Sequence, residues 1–221
     1  MDTHGNILVI GGHGKVALLL APLLVEQGAH VNAAIRNPDH AADVRAAGAT
    51  PVVADIEALD TDALAELLVG HDAVVWSAGA GGGNPARTRA VDRDAAIRAM
   101  DAASLAGVRR FVMVSYFGAQ TDHGVPEDNP FWHYAEAKAA ADEYLRATDL
   151  DWTVLGPSTL TLDPPTGTIG VGGDAGTVGR ADVAAVIAQT LREPATIGRT
   201  IRFNAGDTPI ADALAAPAEP S

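Results

Sequence analysis

Cysteine is absent from all 221 residues. Its absence excludes disulfides, thiolate catalysis and cysteine-ligated metals, and it fits a cytoplasmic protein. Long apolar runs are missing too. No stretch reaches the roughly 20 residues that a membrane span needs, so no membrane partner is expected. The opening Met1-Asp2-Thr3-His4-Gly5-Asn6 has no basic region, and no signal peptide is expected. The seven histidines form no H-x-x-x-H pair, so no metal site is expected. Positive charge is scarce: 15 basic against 28 acidic residues leave a net charge of −13, which argues against nucleic acid as a partner. Lysine is scarcer still. Lys15 and Lys138 are the two lysines of the chain. In a sequence that supplies arginine wherever any cation will do, a lysine marks a place for a compact point charge.

What is present alternates regularly between short apolar runs and helical periods. Strands are predicted at Ile7–Ile10, Val31–Ile35, Pro51–Ala54, Ala73–Trp76, Arg110–Val114, Trp152–Leu155 and Thr200–Phe203. Helices are predicted at Val16–Gln27, Asp39–Ala47, Asp60–Val69, Arg87–Ala106, Trp132–Thr148, Ala181–Leu191 and Ile210–Leu214. Strands buried on both faces and separated by helices imply an α/β fold, a Rossmann-type doubly wound parallel sheet in a single domain. That domain is expected to span residues 1–214, with a disordered tail over 215–221. Residues 156–179, rich in Gly, Pro and Thr, read as loop with a short hairpin at most.

Two constellations carry chemistry. The first is Gly11-Gly12-His13-Gly14-Lys15-Val16-Ala17 after the first strand. Gly11 allows a sharp turn, Gly14 lets backbone amides approach a pyrophosphate at the next helix N-terminus, and Ala17 permits close packing of helix on strand. At the end of the second strand stands Arg36 instead of the carboxylate of NAD-preferring sites. Its fork suits a 2′-phosphate, and Lys15 can reinforce it, so NADP is favoured over NAD. Asp55 and Ile56 can bracket an adenine, although Asp55 reads equally as the start of a helix. Ser77-Ala78-Gly79 would let a cofactor ribose pass close to backbone. The second constellation is Tyr134 and Lys138, at i and i+4 on one helix face. A free phenol titrates near 10, and an ammonium beside it is expected to lower that value. Ser115 ends the fifth strand on the same sheet edge.

Together these residues, with the stretches Gly107–Ser115, Leu150–Val154 and Gly179–Ala184, resemble the atypical, NmrA-like short-chain dehydrogenases/reductases. The resemblance implies an NAD(P)-dependent oxidoreductase that moves hydride to or from a small carbonyl or alcohol. Ser115 would bond the substrate oxygen and Tyr134 would act as acid or base. Lys138 would hold the nicotinamide ribose and lower the Tyr134 pKa. The cofactor would lie along Gly11, His13, Gly14, Lys15, Val16, Arg36, Asp55, Ile56, Ser77, Ala78 and Gly79. Leu155-Gly156-Pro157 departs from the Arg-Pro-Gly of many relatives. The C-terminal domain with which extended members grip sugar nucleotides is not recognisable, so a nucleotide-sugar epimerase is not expected. Two alternatives stay open: a flavin- or quinone-type reductase, and a non-catalytic NADP(H)-binding redox sensor. The expected partner is a small-molecule substrate, and the expected state a monomer or homodimer.

Overall fold

The computed structural model describes residues 5–81 and 83–216. Strand β1 (Asn6–Ile10) shows why the sheet needs cover on both faces. Successive side chains of a strand point to opposite sides. Ile7 and Val9 enter one apolar cluster, while Leu8 and Ile10 enter the other. The first cluster is closed by α1 (Lys15–Glu26), the short α2 (Ala41–Ala46) and α7 (Arg180–Thr190), through Leu20, Leu24, Val44, Val183 and Ile187. The second is closed by α3 (Thr61–Leu68), α5 (Ala96–Ala106) and α6 (Trp132–Arg146), through Leu64, Leu68, Met100 and Leu145. Each fully buried Leu of this kind contributes about 1.5–3 kcal/mol.

The remaining strands of the parallel core are β2 (His30–Ile35), β3 (Thr50–Val53), β4 (Ala73–Trp76), β5 (Arg110–Val114), β6 (Asp151–Pro157) and, late in the chain, the strand Arg199–Ala205, called β10 below. Their spatial order is β3-β2-β1-β4-β5-β6-β10, all parallel. The order reverses between β1 and β4, so loops from those two strands diverge and leave a crevice at their carboxyl ends. This is the doubly wound sheet expected from the alternation of elements. Arg110, part of the Gly107–Ser115 stretch, does structural work at the opposite edge. Its guanidinium donates to Asp151 O, Thr153 Oγ1, Thr190 O and Thr196 Oγ1, tying β5 to β6 and to the end of α7.

Two expectations need correction. Residues 156–179 are not a loop with a hairpin. They carry β7 (Thr159–Thr161), β8 (Thr168–Val171) and β9 (Thr177–Gly179). β7 and β9 pair parallel as a separate small sheet. β8 instead joins the main sheet antiparallel to β10, followed by β11 (Thr208–Pro209). Each run is too short for a two-residue period to register, and long-range pairing decides its state. The connection is anchored by buried Asp182 near the start of α7, which accepts from Thr166 N, Thr166 Oγ1 and Gly167 N. Likewise the helix expected over Arg87–Ala106 is not uniform. It starts as α4 (Pro85–Thr88), widens into a π-helical segment at Arg89–Ala95 and resumes as α5. A π-bulge often marks a functional position, and this one carries buried Asp92. The last element among the described residues is α8 (Ile210–Ala215). Of the expected tail, residues 217–221 lie outside the described residues.

Candidate active site

The crevice is shaped by three glycines. Gly11 has φ +86°, and a Cβ there would lie 2.6 Å from the Ala78 backbone. A Cβ on Gly12 would lie 2.5 Å from the Ala33 Cβ, and one on Gly14 would lie 3.1 Å from Gly11 O. The loop thus presses backbone to backbone between β1, β2 and β4. Gly12 belongs to the expected loop, but its tight approach to β2 has no signal in the sequence beyond the Gly-Gly doublet. Gly14 is the N-cap of α1 and gives it no side-chain cap, and the first turn holds no acidic residue. Unshielded N–H groups and the positive end of the helix dipole therefore face the crevice, a ready place for an anion.

A cavity of about 270 Å³ opens there. The glycine loop contributes Gly11, His13 and Gly14, and the β4 loop contributes Ser77, Ala78 and Gly79. Arg36, Asn37 and His40 close it after β2, with Asp55, Ile56 and Glu57 after β3. Lys15 and Val16 do not line it. Lys15 is exposed as the first residue of α1, and Val16 is buried in the core. His13 stacks on His40 with ring centroids 3.7 Å apart and meets Asp43 Oδ2 through Nε2 at 2.8 Å. Asp55 accepts from Glu57 N in a local turn, whereas Asp60 is the residue that caps α3. The ambiguity over Asp55 is thereby resolved against a helix cap. Arg36 Nη1 lies 3.6 Å from Glu57 Oε2, and Arg87 Nε reaches the same oxygen at 3.3 Å. Arg87 also donates to Ala80 O at 2.7 Å. The shape, the glycine cradle and the cationic rim fit a dinucleotide.

The second group of residues lies on the β5 and α6 side of the same edge. Tyr134, Lys138 and Asp142 stand one turn apart on α6, so all three project from one helix face. Lys138 is 1% exposed and donates to Val114 O at 2.9 Å. Asp142 is fully buried and accepts from Ser115 Oγ at 2.5 Å. Asp92, at 1% exposure, accepts from Ala80 N at 3.0 Å and so links the π-helical segment to the β4 loop. Burial raises the pKa of both carboxyls, and Lys138 opposes the rise in each. Burial lowers the Lys138 pKa, against the pull of Asp142 and Asp92. One buried cation therefore serves two buried carboxyls.

This arrangement corrects the expected effect of Lys138 on Tyr134. The phenol is held above its ordinary value, first by burial and then by the charges of Asp92 and Asp142. The Lys138 ammonium donates to Val114 O and Met113 Sδ instead, and the phenolate form of Tyr134 is disfavoured. Its ring packs with Tyr116 and Phe131 at centroid distances of 5.5 and 5.2 Å. Burial also pushes the Tyr116 phenol up to about 12. Ser115, expected to bond the substrate oxygen, gives its hydroxyl proton to Asp142. Asp92, Asp142, Glu57 and Tyr116 were not singled out from the sequence. Asp142 had a signal, since it continues the Tyr134–Lys138 spacing by one more turn. Leu155, which replaces the arginine of many relatives, is fully buried in the core. Trp132 and His133 face elsewhere, lining a second recess of about 100 Å³ with Arg89 and Arg93.

Comparison with known proteins agrees with this architecture. Residues 11–194 match the model of the family described as NAD(P)H-binding. The chain is 35% identical to the uncharacterized sugar epimerase YhfK of Bacillus subtilis, over 95% of this chain and 98% of that protein. Among solved structures, a candidate NAD-dependent epimerase/dehydratase from Bacillus halodurans superposes with a TM-score of 0.87 at 34% identity, covering 95% of this chain and 98% of that one. The oxidoreductase ylbE of Lactococcus lactis superposes with a TM-score of 0.84 at 27% identity, covering 95% and 94%. The chain is a member of the NAD(P)H-binding family, and its architecture is consistent with the atypical short-chain dehydrogenase/reductase resemblance.

Proposed function

We propose that the protein is an NADP(H)-dependent oxidoreductase acting on a small carbonyl or alcohol. The observation that carries the proposal is the adjacency of two features on one sheet edge: the glycine-cradled cavity with Arg36 at its rim, and the Tyr134–Lys138–Asp142 face of α6. The glycine loop and the α1 N-terminus would hold the pyrophosphate, and Arg36 a 2′-phosphate. When bound, the nicotinamide supplies the hydride chemistry. Tyr134 would give its proton to the substrate oxygen during reduction, because the buried phenolate needed for the reverse, base role is disfavoured. Lys138 has donors beyond the one on Val114 O and would use them on a ribose hydroxyl. Ser115 has committed its proton to Asp142, so its lone pairs would accept from a substrate hydroxyl. Asp142 would hold the Ser115 rotamer.

The test begins with thermal unfolding of the wild type and Arg36→Ala in NADP⁺, NADPH, NAD⁺ and NADH. A ligand at 100 times its dissociation constant adds about 2.7 kcal/mol of stability. Selective stabilisation by the phosphorylated pair, lost in Arg36→Ala, is the expected result. Carbonyls, flavins and quinones are then screened with NADPH on wild type and Tyr134→Phe. Proton donation by Tyr134 predicts a loss of roughly 10²–10⁴-fold in kcat for a carbonyl. An unaffected Tyr134→Phe rate with flavin or quinone acceptors would move the assignment to an acceptor reductase. Stabilisation without turnover on any acceptor would leave a redox sensor. The epimerase names of relatives supply a further arm, because an epimerase isomerises its substrate with no net consumption of NADPH.

A further inference from the structure

Glu57 is an unexpected resident of a cavity meant for a polyanion. Its carboxylate lies in the cavity wall beside Arg36, and the Arg36 Nη1 to Glu57 Oε2 distance is 3.6 Å. The same oxygen is reached by Arg87 Nε at 3.3 Å. Arg36 is thus engaged before any ligand arrives, on an oxygen that Glu57 shares with Arg87. We propose that Glu57 is a specificity-determining residue, a carboxylate latch that a 2′-phosphate must displace from Arg36 and a 2′-hydroxyl need not. The proposal rests on the reading of Arg36 as the 2′-phosphate partner.

Geometry makes the latch releasable. At 3.6 Å the Arg36 contact is an ion pair longer than a hydrogen bond. The Arg36 side chain is 55% exposed, so the pair is screened by solvent and weak. A phosphate monoester carries about −1.5 to −2 charges at neutral pH and can take a guanidinium fork through two oxygens. It outcompetes a single carboxylate oxygen for Arg36. Glu57 is not abandoned when Arg36 leaves, because Arg87 still holds it. Arg87 is itself fixed by donation to Ala80 O. The second arginine therefore lets the latch open without stranding a carboxylate beside the incoming phosphate. A 2′-hydroxyl brings no charge and can leave the Arg36–Glu57 pair closed. Glu57 thus taxes the phosphorylated cofactor alone and moderates the preference that Arg36 creates.

Isothermal titration of NADPH and NADH into wild type, Glu57→Gln, Arg36→Ala and the double variant tests the latch. An exposed ion pair is worth roughly 2–5-fold in an equilibrium constant. Glu57→Gln should therefore bind NADPH roughly 2–5-fold more tightly with NADH affinity unchanged, and the gain should vanish in the Arg36→Ala background. Glu57→Ala should show the same sign, which controls for new hydrogen bonds from the glutamine amide. The NADPH gain should also shrink as salt rises. A gain that survives in Arg36→Ala overturns the latch, since Glu57 would then repel the phosphate directly. Weaker NADH binding with unchanged NADPH binding overturns it too, and makes Glu57 a ribose ligand. Unchanged affinity for both overturns it as a bystander. The underlying reading fails separately: Arg36→Ala binding NADPH as tightly as wild type removes Arg36 as the phosphate partner, whatever Glu57→Gln does.

Discussion

The two halves of the sheet edge are made of different materials. Between β1 and β4 the site is backbone: three glycines, two of them in gaps that no Cβ fits, and free N–H groups at α1. Beyond β5 it is side chain: Ser115, Asp92, Lys138 and Asp142, buried together, with each charge only partly offset by the others. A backbone site fails when an atom is added. A buried charge cluster fails when a charge is removed. The contrast predicts different injuries on the two sides.

The largest is expected at Lys138. Lys138→Met keeps length and volume but leaves Asp92 and Asp142 without their shared cation. Leaving buried carboxylates without an opposing charge costs up to about 3–5 kcal/mol, the value for a contacting buried pair, read as a fall in urea-unfolding free energy at pH 7. The deficit should shrink below about pH 4, where carboxyls are neutral in the unfolded chain as well. A deficit under about 1 kcal/mol at pH 7, within the range of an exposed ion pair, would mean that the two carboxyls are already neutral there.

The backbone half is tested by two glycines with similar backbone angles. Gly11 and Gly70 have φ of +86° and +81°. A Cβ on Gly11 would strike the Ala78 backbone at 2.6 Å, whereas one on Gly70 would meet nothing within 4 Å. Gly70→Ala should cost only the left-handed conformation, about 1–2 kcal/mol. Gly11→Ala adds overpacking, a further 1–3 kcal/mol or so, and should abolish stabilisation by dinucleotides. Equal costs at the two positions, with dinucleotide binding kept, would show that the β1–β4 crevice yields more easily than its spacing suggests.

The same contrast explains what could be read without coordinates. Ile7–Ile10 declared a strand buried on both faces, and Gly11 and Gly14 declared the turn and the helix start, because local backbone demands write themselves into local residue types. Tyr134 and Lys138 were legible as a pair since helix geometry fixes their spacing. The sign of their coupling was not legible. It depends on Asp92 from the π-helical segment, 42 positions before Tyr134 in the sequence, and on the depth to which α6 sinks Lys138. Glu57 was invisible for the same reason, since its partners Arg36 and Arg87 come from two other segments. The strands of residues 156–179 were lost because short Thr- and Gly-rich runs acquire their state only from partners such as β10.

The smallest effect expected is a pH slope, and it probes the side-chain half most directly. Burial holds the folded Asp142 pKa above its ordinary value, despite Lys138 and the Ser115 hydrogen bond. Over the interval between the unfolded value, about 3.9, and the raised folded value, the native protein keeps a proton that the unfolded chain has released. Stability must therefore fall as pH rises through that interval, by up to about 1.4 kcal/mol per pH unit. Asp142→Asn has no such proton but still offers Ser115 an amide oxygen to donate to. Wild type should lose stability relative to Asp142→Asn as the pH climbs from about 4, and the difference should level off above the folded pKa. Urea titrations of both proteins across pH 3.5–8, the range roughly spanning these values, measure the gap. A gap that opens in the opposite direction would show that Lys138 outweighs burial at Asp142, and that the carboxyl beneath Ser115 is held ionised.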